Sequence, residues 1–222
     1  QAVEMVHNGE GDVLMKGLCS TDKFLRAILN KETGLLPPKG LLSHVGVIEN
    51  PNYPKLMFVT DMAVIPAPDF RQKVKETNYM LNVAHSFGIA KPKVAFISAT
   101  EQMLDSIPSA IEAAMLAKMC DRGQIKGCIG DGPLALDVAI DPESVQIKKL
   151  VSPVAGDADC LMFPNIESAN VFWKTNSKLC GEGIRQAGIL VGVTAPCVLA
   201  SRADTADTKL CSIATAVMSI AK

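Results

Sequence analysis

The stretch DFRQKVKETNYMLNVAHSFG, Asp69 to Gly88, and the run KVAFIS, Lys93 to Ser98, that follows it decide the fold. Asp69 is a helix-capping residue type. Phe70, Val74, Thr77, Leu81 and Ala84 recur at intervals of three and four, and Gly88 supplies the stop. A short apolar run directly after such a helix reads as a buried strand. The same alternation extends in both directions. Further strands are expected at Asp12 to Lys16, Leu41 to Ile48, Leu56 to Thr60, Lys126 to Ile129, Asp159 to Phe163 and Gly188 to Val193. Helices are expected over Ile107 to Arg122, Glu167 to Cys180 and from about Thr205, the last with Leu210, Ile213, Ala214, Val217 and Ile220 as a core-facing stripe. This is an α/β pattern with mainly parallel strands and helices on both faces.

Two proline-bearing breaks organise the chain. Leu35-Leu36-Pro37-Pro38-Lys39-Gly40 resists helix and central strand alike, and Thr194-Ala195-Pro196 is a second punctuation point. Cutting at both predicts a central α/β domain, 37–194, inserted into an outer α/β domain made of 1–36 and 195–222.

Composition narrows the function classes. The 222 residues are 48% hydrophobic and 20% charged, enough for a substantial core. A formal net charge of -1 gives no footprint for a nucleic-acid backbone or an anionic membrane surface. Seven cysteines, an odd count with no C-x-x-C, point to free thiols in a reducing cytoplasm. Three scattered histidines with no paired cysteines offer no metal-ligand spacing, so no metal is expected.

Three strand-to-helix junctions could carry chemistry. Lys16-Gly17-Leu18-Cys19-Ser20-Thr21, continuing to Arg26, gathers hydroxyls and backbone N–H groups at a helix start, where an anion can sit with Lys16 and Arg26 as cationic partners. Ser20 or Thr21 acting only as a cap is the alternative. Ser201-Arg202-Ala203-Asp204-Thr205-Ala206-Asp207 repeats the organisation. Arg202 offers a donor fork for phosphate, and Asp204 and Asp207 offer either carboxylates for proton transfer or a capping arrangement. Asn165, Glu167 and Asn170 form the third group, at the carboxyl end of a strand, the edge along which open α/β sheets bind ligands. Gly127-Cys128-Ile129-Gly130-Asp131-Gly132-Pro133 lacks both dinucleotide and P-loop spacing and reads as a tight strand-end turn.

Taken in order, these junctions resemble the phosphate acetyl/butyryltransferase family over essentially the whole chain. The specific blocks are Gly130-Asp131-Gly132-Pro133-Leu134-Ala135-Leu136-Asp137, Ser152-Pro153-Val154-Ala155-Gly156-Asp157-Ala158-Asp159 and Phe163-Pro164-Asn165-Ile166-Glu167-Ser168-Ala169-Asn170. Lys16-Gly17 and the closing Ser201-Arg202-Ala203-Asp204-Thr205 look more like the phosphate butyryltransferase branch. The resemblance implies two domains of isocitrate/isopropylmalate dehydrogenase-like architecture with a cleft between them, a homodimer or higher homo-oligomer, and a missing leading segment. It implies reversible transfer of a short acyl group, butyryl here, between CoA and phosphate through a ternary complex. CoA, acyl-CoA, phosphate and acyl phosphate would be substrates, and no cofactor would be bound permanently. Ser201 and Arg202 match the family's active-site Ser-Arg pair, and Ser20, Thr21 and Arg26 its second phosphate region. The family's catalytic aspartate falls on Thr208, leaving Asp207 or Asp204 as base. A non-catalytic, acyl-CoA-sensing regulatory domain is the alternative.

Overall fold

The structure, a computed structural model, describes residues 1–200 and 204–220. Its elements in chain order are α1 (Ala2–His7), β1 (Leu14–Met15), α2 (Thr21–Ile28), β2 (Ser43–Glu49), β3 (Leu56–Thr60), α3 (Phe70–Ser86), β4 (Lys93–Ile97), α4 (Pro108–Asp121) and β5 (Ile129–Leu134). They continue as α5 (Leu136–Ile140), α6 (Pro142–Lys148), β6 (Cys160–Met162), α7 (Ile166–Leu179), β7 (Arg185–Val191), β8 (Cys197–Val198) and α8 (Ala206–Met218). The deciding stretch folds as read. Asp69 and Gln72 close a reciprocal capping box at the start of α3, Gly88 follows its end at φ +86°, and β4 comes next.

The eight strands among the described residues lie in one sheet, in the order β1-β8-β7-β2-β3-β6-β4-β5. The expected mainly parallel arrangement needs correcting, because the sheet is mixed. β1–β8, β3–β6, β4–β6 and β4–β5 pair in parallel, whereas β2 runs antiparallel to both β3 and β7, and β7 antiparallel to β8. The short Asn50–Tyr53 turn makes β2–β3 a hairpin, which is necessarily antiparallel. β1 and β8, from the two chain ends, extend the same sheet as the strands of 37–194.

Three further readings change. Residues 130–133 belong to β5 and not to a turn. Their glycines serve packing, since a Cβ on Gly130 would meet Cys120 Sγ at 2.5 Å and one on Gly132 would meet Phe96 Cβ at 2.7 Å. β8 forms directly after Pro196, where only a break was expected. The stripe on α8 faces outward, with Leu210 64% and Val217 54% exposed, while Ser212, Thr215 and Ala216 face the sheet. Small residues win there because Ser212 Oγ must reach the Gly188 N–H of β7, which it accepts at 3.0 Å. No helix among the described residues is long and apolar enough to cross a membrane.

The core of the described residues has three clusters. One joins Phe58, Met80, Phe96 and Leu116 between the sheet and α3 and α4, a second joins Met57, Val138, Leu161 and Phe163 on the opposite face, and a third joins Leu14, Phe24, Ile28, Leu35, Leu42 and Leu190 where the chain ends meet β7. Glu76 of α3 is fully buried, and neither carboxylate oxygen has a hydrogen-bond partner among the described residues. Burial, helped by Asp61 and Asp69 and opposed by Lys73, pushes its carboxyl up to about 8. The folded chain therefore holds a proton that the unfolded chain releases near the ordinary carboxyl value, so stability falls as pH rises through that window towards 8. Replacing Glu76 by Gln should raise Tm at pH 9 clearly more than at pH 5. Roughly 2–4 °C is expected for each kcal/mol recovered in a domain of this size. Equal shifts in calorimetric scans at the two pH values would show that Glu76 does not titrate as described.

Candidate active site

A cavity of about 540 Å³ opens on the face of the sheet near β2, β7 and β8, within the size range of small-molecule sites. The chain ends contribute Lys16 and Thr21 on one side and Leu199, Ala200, Asp204, Thr208 and Ser212 on the other. Residues 37–194 contribute His44, Met62, Ala63, Trp173 and Gly188. The walls thus come from both groups of residues distinguished in the sequence.

The local sequence explains how each wall forms. Lys16 follows β1, and its N–H is bound to Val198 O at 3.1 Å. Its side chain is buried, with Nζ donating to Cys19 O at 3.1 Å and Gly17 O at 3.3 Å, which fixes the charge at the junction. Ser20 is the N-cap of α2, accepting from Lys23 N, and Thr21 opens the helix. The capping reading and the anion reading of this junction are therefore compatible: Ser20 caps, and Thr21 faces the cavity. On the opposite side Thr205 caps α8, accepting from Thr208 N at 3.1 Å, in place of the Asp204 cap proposed in the alternative. Asp204 precedes the cap and lines the cavity.

The floor is built on glycine. Gly46 of β2 and Gly188 of β7 are register partners. A Cβ on Gly188 would meet the His44 ring at 2.8 Å, and one on Gly46 would collide with Trp173 and meet Met62 Cε at 2.8 Å. The ring, the indole and the thioether can lie on the sheet only because those two positions have no side chain. Asn170 Nδ2 donates to Met62 O at 2.8 Å and holds the turn after β3 in place.

The buried carboxylate of Asp61 organises that turn, accepting from Ser43 Oγ, His44 N, Ala63 N, Val64 N and Ile65 N at 2.7 to 3.2 Å. Beside it His44 is 4% exposed. Burial lowers its pKa, while the Asp61 and Asp204 charges push the other way, so the imidazole is held below the usual histidine range.

The structure sorts the candidate residues. Lys16, Thr21 and Asp204 line the cavity, while Gly17 and Ser20 lie in the segment that joins Lys16 to Thr21. Asn165 caps α7 through Ser168 N, and Asn170 supports the floor. Arg26 is 80% exposed and paired with Asp22 at 3.1 Å, and Glu167 is exposed; neither lines the cavity. Asp207 lies elsewhere on α8, with a carboxylate oxygen 3.6 Å from Arg185 Nε, and does not line it either. Ser201 and Arg202 lie outside the described residues. Sequence reasoning missed Asp61, His44, Trp173 and Ser212. An Asp directly after a strand, ahead of Pro66 and Pro68, was a turn signal that could have drawn attention to Asp61.

Fold and cavity together define an α/β protein with a cleft at strand ends and helix starts, supplied with a cation, hydroxyls, a carboxylate and a neutral imidazole. The chain belongs to the phosphate acetyl/butaryl transferase family, whose profile matches residues 1–217. Phosphate butyryltransferase of Clostridium acetobutylicum is 48% identical over 218 residues, 98% of this chain and 71% of that protein. Phosphate acetyltransferase of Thermotoga maritima is 41% identical over 213 residues, 96% of this chain and 71% of that protein. The crystal structure of a branched-chain phosphotransacylase from Enterococcus faecalis superposes with a TM-score of 0.90 at 31% identity, covering 99% of this chain and 77% of that one.

The glycine floor makes a direct prediction. Gly46→Ala forces Trp173 and Met62 to move, and overpacking of this kind costs about 1–3 kcal/mol. The urea midpoint should fall accordingly, and an unchanged midpoint would contradict the close packing of Trp173 on β2.

Proposed function

We propose that this chain transfers a short acyl group, butyryl in the first instance, reversibly between CoA and inorganic phosphate, with both substrates bound together. One observation carries the reading: in a member of this family, the starts of α2 and α8 meet at one cavity that also holds Lys16, His44 and Asp204. Helix starts present unpaired N–H groups and the positive end of the dipole, which suits phosphate and the diphosphate of CoA.

In one direction a phosphate oxygen attacks the thioester carbonyl and the CoA sulfur leaves. In the other the thiol attacks the acyl phosphate, whose phosphate leaves. No acyl-enzyme is required, so most of the acceleration comes from alignment of two bound substrates and stabilisation of charge on the carbonyl oxygen. Lys16 and Thr21 would hold the phosphoryl group, with Arg202 as a further donor fork. Asp204, on the cavity wall, is the carboxylate that serves the proton transfer. Asp207 balances Arg185 at the surface.

The test is thiol release from butyryl-CoA with phosphate, using the full-length gene product. Asp204→Asn should lower kcat by at least about 100-fold, the usual scale for losing a group that stabilises charge in the transition state, whereas Asp207→Asn should keep most of the turnover. A larger loss in Asp207→Asn would reverse the assignment, and absence of CoA release with any short acyl-CoA would remove the activity.

A further inference from the structure

We infer that His44 is the group that takes the proton from the CoA thiol, with Asp204 holding the charge that results; this rests on the acyl-transfer reading above. His44 Nδ1 lies 2.6 Å from Met62 Sδ, so the thioether covers that nitrogen and Nε2 is the one left to exchange a proton with the cavity. The role calls for the Nδ1–H tautomer, which leaves the Nε2 lone pair to accept. Nε2 has no hydrogen-bond partner among the described residues and belongs to a ring on the cavity wall. Gly188 has no side chain to cover it, since a Cβ there would come within 2.8 Å of Nε2. The charged groups facing His44 are Asp61 beneath it, Asp204 ahead of α8 and Lys16 on the same cavity. The two carboxylates stabilise an imidazolium once formed, and burial keeps the resting ring neutral.

In thiolysis of an acyl phosphate the S–H bond breaks towards Nε2 as sulfur bonds to the acyl carbon. The C–O bond to phosphate breaks with its electron pair on oxygen. The imidazolium then returns the proton to that oxygen, so acyl phosphate and CoA become acyl-CoA and hydrogen phosphate with no net proton change. In the reverse direction the same ring takes the proton from hydrogen phosphate and delivers it to the departing thiolate.

A base that acts on a thiol has a signature that a structural histidine lacks. CoA ionises by itself near the ordinary thiol value of about 8.5, so loss of the base matters less as pH rises. We compare wild type with His44→Gln and His44→Asn in the thiolysis direction from pH 6 to 9.5, with Tm and calorimetric CoA affinity as checks on folding and binding. The expected deficit is at least about 100-fold at pH 7 and shrinks about tenfold per pH unit until the thiol is ionised. A deficit of constant size across pH in both variants, with CoA affinity retained, overturns the role of His44 as base, as does wild-type turnover in either variant at pH 7. An inactive wild-type protein overturns the acyl-transfer reading, and the inference with it.

Discussion

The carboxylate of Asp61 is the constraint on which the cavity depends. A buried charge is tolerated only when its lone pairs are satisfied, and Asp61 meets that demand with five donors drawn from the start of β2 and the turn after β3. The cost of leaving any of them unmade locks the turn 61–65 against Ser43 and His44. His44, Met62 and Ala63, three consecutive contributors to the cavity floor in space, are thereby set by one interaction. Asn170 adds a second hold on Met62 from α7.

On that base the two glycines of the β2–β7 pair open the sheet surface to a ring and an indole. α8 is then fixed from above, because Ser212 both donates to Thr208 O and accepts from Gly188 N. The position of Asp204 follows from that attachment, as does the outward turn of Leu210 and Val217. Function and packing are coupled here: the face of α8 that looks most apolar in sequence is not the face that the sheet can accept.

Much of this was legible in the sequence and some could not be. The α3 boundaries were visible because Asp69 and Gly88 act locally, through a cap and a left-handed stop. Lys16, Thr21 and Asp204 were visible because helix starts collect hydroxyls and carboxylates at fixed offsets. The mixed sheet was hidden, since β2 and β7 pair across some 140 residues and strand direction leaves no mark on composition. Asp204 and Asp207 could not be told apart until the first residue of α8 was fixed, because each step along a helix turns a side chain by about 100°. His44 was hidden for a different reason: a polar residue inside a strand reads as an interruption until Gly188 is seen beside it.

Acyl-CoA and phosphate are proposed to meet in the cavity walled by Lys16, His44, Trp173 and Asp204. Trp173 is the single tryptophan of the chain, so its emission reports on that wall alone. Titration with butyryl-CoA, followed in parallel by calorimetry, should change the Trp173 emission along a saturating curve with the same Kd as the heat. Binding seen by calorimetry with no change in Trp173 emission would put the substrate outside this cavity.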